Sequence, residues 1–406
     1  MKMKSIWSVF AVSLACTATS FGGGFKIPDQ STRAMGMIDA FVAGADDASA
    51  VYYNPAGLTN LTGPEAITNI YVAHGIIYYD GPTESETSDG RIYAVPNFYV
   101  ASPVKGLDDW FVGLGVYSPF GLGAMWGDGS YLRYDSTLAE IELININPTV
   151  AWAVTDRLSI GAGVDYFTSR VKYRNKERML LGNGETDIDA DGDGWGYNLG
   201  LQYGITDTVK LGLTYRSQVR VNYDGELELD IPMMGTFYSG LEGEIEYPPI
   251  YSGGIMWQAT PRLRMEFVAE WQEWSTRETQ DFTLDGNPPI PQSSAVKWED
   301  SWLLLLGCEY QLNEKWILRA GYGYNETPVP DETAEPTLPT GDTHAVSLGA
   351  GYQYSEKLAF DVAGIVSYGE ERSVDDPDGA AMGRNDYTGD YEALSFFLSV
   401  GVRYKF

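Results

Sequence analysis

Chemistry at neutral pH usually needs an imidazole, a thiolate or a cluster of carboxylates, and this chain is poor in the first two. Its two histidines, His74 and His344, stand far apart, with no nucleophile motif around either and no metal-ligand spacing to one another. Serine–histidine or aspartate–histidine catalysis is therefore not expected, and no catalytic residue or cofactor is assigned. The run "DIDADGDGW" is the one metal-like pattern: Asp187, Asp189 and Asp191, followed by Gly192, match the opening of a calcium loop. The position where such a loop needs a bidentate Glu is Asn198. A calcium site and a solvated acidic loop both stay open. Cys16 falls in the leader described below, so Cys308 alone remains afterwards and no intrachain disulfide can form.

The elements that must carry these residues are strands. Mean hydropathy is -0.21, and beyond the N-terminus no apolar run approaches the roughly 18 residues of a spanning helix. That excludes a helical membrane protein and leaves a barrel open, because alternating strands give a weak hydropathy signal. Lys2 and Lys4, the apolar stretch 6–16, and small residues at Ala18 and Ser20 read as an export signal over 1–20. Period-two alternation recurs downstream. Leu158, Ile160, Ala162, Val164 and Tyr166 oppose Ser159, Gly161, Gly163 and Asp165; similar faces run through 209–216, 316–323 and 346–353. The chain ends "SFFLSVGVRYKF", with Phe396, Leu398, Val400, Val402, Tyr404 and Phe406 on one side, as a final strand offered to the barrel-assembly machinery would.

Short polar turns at 104–108, 153–157, 204–208, 258–262, 311–315 and 353–357 alternate with longer stretches near 80–91, 118–138, 175–193, 230–248, 285–296, 327–341 and 370–391. The count is about fourteen strands. The fold expected is all-β: a transmembrane antiparallel barrel over 66–406, its lumen plugged by an N-terminal hatch of short helices over 21–65. Trp271, Trp316, Tyr322 and Tyr404 fall near strand ends, where interfacial aromatic girdles sit.

The segment "GGGFKIPDQSTRAMGMIDAFVAGADDASAVYYNPAGLTNL" resembles the N-terminal hatch of the FadL/TodX family of outer-membrane transporters of hydrophobic compounds. The carriers of the resemblance are Gly24-Phe25, Gln30-Ser31, Asp47-Ala48-Ser49 and Asn54-Pro55-Ala56-Gly57. "SPFGLG" (118–123), "LRYDS" (132–136), "GDGWGYNLGLQY" (192–203) and "AEWQEWS" (269–275) continue it along the mature chain. The resemblance implies a monomer of the Gram-negative outer membrane that takes up long-chain fatty acids or hydrocarbons passively. It implies capture among extracellular loops, a pocket by the hatch N-terminus, and lateral release into the bilayer beside an inward-kinked strand. Asn54, Pro55, Ala56 and Gly57 are expected near that kink, or simply to form a turn.

Phe25 is the leading pocket candidate, with hatch packing as its alternative. Phe120, Leu122 and Trp126, near Met125, give one long loop the apolar content of a capture groove. Arg319, like Arg216 and Arg403, falls on the inferred lumen face and suits a carboxylate; Asp165, Glu309 and Asp361 fall there too, and mutual ion pairing is the alternative. The balance of 56 Asp+Glu against 27 Lys+Arg gives a net charge of -29. It disfavours nucleic acid as a partner, and it leans toward a neutral ligand or a saline habitat. Membrane lipid and lipopolysaccharide are the expected surroundings. A general porin and a barrel enzyme of lipase or protease type are the competing functions.

Overall fold

The structure, a computed structural model, describes residues 23–179, 182–286, 293–339, 341–375 and 387–406. The leader over 1–20 lies outside the described residues. Among them, fourteen antiparallel strands form the wall. They are β1 (Glu65–Asp80), β2 (Ile92–Val104), β3 (Leu107–Tyr117, resuming at Gly121–Ala124), β4 (Leu138–Ala153), β5 (Leu158–Met179), β6 (Gly182–Gly204) and β7 (Val209–Arg216, resuming at Val219–Ile231). There follow β8 (Gly235–Tyr247, resuming at Ile250–Thr260), β9 (Leu263–Gln272, resuming at Thr279–Leu284), β10 (Ser301–Gln311), β11 (Trp316–Asn325), β12 (Thr343–Gln353), β13 (Leu358–Val374) and β14 (Gly389–Lys405). The register from Glu65↔Lys405 to Asp80↔Asp390 joins β1 to β14 and closes the cylinder. Closure is what hydrocarbon demands, since a free sheet edge there leaves N–H and C=O groups without partners.

All six expected short turns join strands at one end of the barrel, where Phe406 N also meets Pro64 O at 3.0 Å. Two expected long loops are not loops. Most of 175–193 belongs to β5 and β6, and most of 230–248 to β7 and β8, which rise together as a tall palisade. Strands of 22 and 23 residues far exceed the roughly 9–11 that cross a bilayer.

The palisade reverses the polarity of the wall beneath it. Within the belt, apolar side chains such as Val164, Leu199, Leu213 and Ile255 face outward, and Gly, Ser, Asn or charged residues face the lumen. Above it, Ile141, Val221, Leu227 and Ile245 are buried inside, with half-buried Ile188 packed against them. Their strand neighbours Arg170, Lys172, Asp187, Asp189, Arg220 and Glu242 face out. Strands β4, β5 and β6 achieve this by exchanging which parity of the sequence is apolar. Strands β7 and β8 keep odd positions apolar throughout but break at 217–218 and 248–249, and the break turns the same parity from outward to inward.

The hatch, 23–64, fills the bore with two single-turn helices, Thr32–Met35 and Ala50–Tyr53, and a 3₁₀ turn, Pro55–Asn60. The lumen face must be nearly flat for backbone to lie against it. A Cβ at Gly307 would stand 2.5 Å from Met37 O, and one at Gly161 2.5 Å from the Pro55 carbonyl carbon. Polar fastening completes the seal. Glu266 accepts from the N–H groups of Val42, Ala43 and Gly44 at 2.7, 2.6 and 3.0 Å. Glu309 gathers Arg33, Arg264 and Arg319 at 3.3, 3.4 and 2.7 Å, and Arg33 also holds Asp46 and Asp47.

Gly307→Val is therefore expected to unseat the hatch while leaving the wall closed. The measurement is planar-bilayer conductance, which should rise from near zero to a steady level while the barrel keeps its heat-modifiable gel mobility.

Candidate functional site

Phe25 is the third described residue of the hatch, and its ring is enclosed by aromatic groups from three regions. Trp274 lies 5.0 Å away, Trp298 5.3 Å, Tyr247 5.6 Å and Phe120 6.4 Å between ring centroids, mostly edge to face. Above it lies a cavity of about 430 Å³, walled by the inward faces of the palisade (Ile141, Val171, Ile188, Leu241) and by Val296 and Leu338 from the loops. That size is within the roughly 300–1,000 Å³ of small-molecule pockets. Three exposed carboxylates, Glu244, Asp281 and Glu335, line it as well.

One cation is buried in this apolar cavity. The Arg277 guanidinium stacks 5.0 Å above the Phe25 ring and 4.8 Å above Trp298. Nη2 donates to Gln280 Oε1 at 3.2 Å, Nε is buried with no partner, and no ion pair is made among the described residues. Burial lowers its pKa to about 10, so it stays charged at neutral pH. A buried, incompletely satisfied cation attracts an anion strongly. Nothing in "STRETQ" marks Arg277 from sequence: it lies just beyond the break after Gln272, where period-two reasoning loses its phase.

Beneath Phe25 the surroundings turn polar. Lys26 and Glu270 form a buried ion pair, and Glu270 also accepts from Gln272 Nε2 at 3.0 Å and from Ser252 Oγ at 2.9 Å. A small cavity of about 50 Å³ below holds Lys26, Asp39, Tyr52, Arg216 and Glu270. Val42, Ile250, Val268, Leu303 and Leu305 complete its lining, and its size is that of a few water molecules at most.

The wall opens beside this point. β2 and β3 pair only as far as Phe98↔Val116; beyond it, β3 breaks at Ser118–Phe120 and resumes against β4 alone. Pro96 and Pro119 flank the gap and carry no N–H for a ladder. The hatch lines its inner side: Ile27 N donates to Pro119 O at 2.8 Å and Gly121 N to Phe25 O at 2.9 Å. Outside, Phe98 and Ile146 are exposed apolar groups at the same height, with Arg91 and Glu142 marking the charged zone above.

The predicted residues separate. Phe25 and Phe120 meet at the cavity floor. Trp126 is buried in the same apolar cluster, donating Nε1 to Pro336 O at 3.1 Å, so it fastens one loop to another. The Leu122 side chain lies outside what is described. Arg319 is not at the cavity: it is held by Glu309 and Asp361, each at 2.7 Å, and Arg216 is held by Asp165 at 2.8 Å. Mutual pairing, the alternative for these arginines, is what the lumen contains.

Asn54, Pro55, Ala56 and Gly57 stand apart from the β3 break. Asn54 Nδ2 donates to Leu201 O at 3.0 Å, and Pro55 packs on Gly161 and Gly200 of β5 and β6. Gly161 pairs with Ala151, which lies opposite Phe111, well down β3 from Ser118. The motif braces the lower wall. Asp187, Asp189 and Asp191 lie on strand β6 rather than on a loop; Arg174 holds Asp187 at 2.8 Å, Arg170 holds Asp189 at 2.7 Å, and Asp191 is exposed. A straight strand wraps no ion. His74 Nδ1 lies 3.2 Å from Arg91 O, and half-buried His344 lies between Tyr322 OH at 2.8 Å and Glu370 at 2.9 Å.

Comparison with known proteins agrees with this architecture. The sequence profile described as "Outer membrane protein transport protein (OMPP1/FadL/TodX)" matches residues 13–406. The long-chain fatty acid transport protein of Escherichia coli K12 is 23% identical over the full length of both chains. Outer membrane protein P1 of Haemophilus influenzae is 24% identical over 87% of this chain and 89% of its own. Among solved structures, a Pseudomonas aeruginosa FadL homologue superposes with a TM-score of 0.84 at 21% identity, covering 95% of this chain and 100% of its own. The Pseudomonas putida toluene transporter TodX does so with 0.73 at 18%, covering 96% and 100%.

Phe25→Ala is expected to loosen the hatch N-terminus by up to about 3 kcal/mol, the lower end of the loss for a deleted buried phenyl ring. Hydrogen exchange should quicken over residues 24–31 and stay unchanged in the wall strands; protection persisting over 24–31 would show that the aromatic enclosure does not hold the segment.

Proposed function

The chain belongs to the FadL/TodX family of outer-membrane transport proteins, and on that premise we propose that its cargo is an amphiphile with a long apolar tail and a carboxylate head, a long-chain fatty acid being the simplest. Among the relatives compared, one is named for long-chain fatty acid transport and one for toluene transport. The single observation that favours the acid is Arg277, a buried cation stacked on Phe25 and Trp298 that makes no ion pair among the described residues, although the exposed carboxylates of Glu244, Asp281 and Glu335 also line the cavity. A toluene-sized neutral ligand would leave that charge as it is; an anionic head would satisfy it.

In this reading the tail enters between the inner faces of the palisade, the head docks on Arg277, and the ligand displaces Phe25. Polar groups of the hatch bar the way down, and the break between β2 and β3 offers the way out. Sideways release keeps the tail out of water, where each exposed methylene costs about 0.8 kcal/mol. The chain acts as a monomer surrounded by lipopolysaccharide, its last strand serving assembly, and transport needs no catalytic step.

Arg277→Gln should weaken binding of a long-chain carboxylate by tenfold or more, as expected when a hydrogen bond to a charged group of about 1.5–3 kcal/mol is lost. Binding of the matching alcohol should change little. Titration calorimetry of both ligands in detergent tests this; equal loss for acid and alcohol would reject the anchor. Because burial pushes the Arg277 guanidinium down to about 10, wild-type affinity for the carboxylate should also fall as the pH is taken above about 10.

A further inference from the structure

The gap between β2 and β3 is closed by one hatch residue that bonds to both of its sides. The Gln30 carbonyl accepts from Asn97 Nδ2 at 3.1 Å and from Tyr99 OH at 3.0 Å, both on β2. Its side chain reaches the other way: Nε2 donates to Ser118 O, at the β3 break, at 2.8 Å, and to Ile27 O at 2.9 Å. Gln30 is fully buried, and its Oε1 has no partner. An unsatisfied buried oxygen costs about 1–3 kcal/mol, and Asn97 Oδ1 beside it is in the same position; what singles Gln30 out is that its bonds reach both sides of the gap.

We propose that Gln30 is the bolt of the wall opening: its carboxamide ties the hatch to the broken end of β3, and release of cargo into the bilayer requires that tie to part. It is a positioning residue, acting through the hatch rather than on the ligand. Phe25, the cavity floor, lies five residues away on the same short segment, and Ile27 shares its donor. Displacement of Phe25 by cargo therefore pulls on the contacts that hold the bolt. The segment is anchored behind by Tyr53, whose OH accepts from the N–H groups of Gln30 and Ser31 at 3.1 Å each. The pivot is thus in front of Ser31. The proposal rests on the break being the exit.

The test uses the full mature chain in liposomes, preloaded with a fluorescent long-chain fatty acid, with transfer to the surrounding bilayer followed by stopped flow. Gln30→Leu keeps the bulk and removes the side-chain bonds. Tyr99→Phe removes one bond from the wall side and serves if the first variant assembles poorly. Both should raise the transfer rate, Gln30→Leu by on the order of tenfold, with the melting temperature and the equilibrium affinity little changed. In a Cys308→Ala background, cysteines at Ala94 and Ser118 joined by a short bis-maleimide close the gap independently. If the link stops transfer and Gln30→Leu speeds it, the bolt stands. If the link stops transfer and neither Gln30→Leu nor Tyr99→Phe alters it, the bolt is overturned and the exit survives. If transfer continues through the linked protein, the exit reading fails and the bolt with it.

Discussion

A backbone group without a partner inside hydrocarbon costs several kcal/mol, and the whole molecule is organised around that penalty. Thirteen sequential pairings and the β1–β14 seam satisfy the wall, with one interruption of consequence beside β3. There the partners come from the plug: Ile27, Phe25 and Gln30 supply to the broken edge what a neighbouring strand supplies elsewhere. The hatch is consequently part of the wall as well as a stopper in the bore. Its N-terminal segment cannot leave its place without uncovering the edge of β3.

The same economy of backbone explains how one cylinder presents two solvents with opposite faces. In the belt the outside is greasy; in the palisade the inside is. β5 makes the change by substitution: Ile160, Ala162 and Val164 face lipid on even numbers, while Phe167, Val171 and Tyr173 line the bore on odd ones. β7 makes it by geometry, since Leu213 and Val221 share a parity yet point in opposite directions across the break at 217–218. The first device is visible in sequence as a phase shift, the second is invisible. That is why strand number, the short turns and the belt were legible, whereas 175–193 and 230–248 read as loops: charges alternating at period two resemble a solvated segment until their apolar partners are known to face inward.

The site was legible in proportion to how local its signals were. Phe25 could be placed because a run of hatch residues carries it. The arginines could not be ranked, since alternation places Arg216, Arg319 and Arg403 on the lumen face in no order of availability and passes over Arg277 altogether; what distinguishes them is who stands opposite. Arg319 has Glu309 and Asp361 across neighbouring strands, and Arg216 has Asp165. Arg277 follows a break and faces rings. Pairing partners brought together by long-range register are unreadable from one chain. The same holds for Asn54–Gly57, whose turn chemistry is plain but whose landing place on β5 and β6 depends on where two inward glycines fall.

The acidic surplus, finally, is compatible with an anionic cargo once its position is considered. Most palisade carboxylates stand on the outer face, in water, where the screening length is about 8 Å at physiological ionic strength. Several are already claimed by Arg170, Arg174 and Lys176. Arg277 lies on the other side of that wall, among aromatic rings, where the effective dielectric is far lower and a charge pair at contact is worth several times its value in water. A carboxylate therefore meets screened repulsion on approach, including that of the solvent-exposed Glu244, Asp281 and Glu335 where they line the cavity, and short-range attraction on arrival. Repulsion of that kind slows entry; attraction of that kind decides occupancy, and only while the cavity stays dry, which returns the burden to Phe25 and the hydrogen bonds behind it.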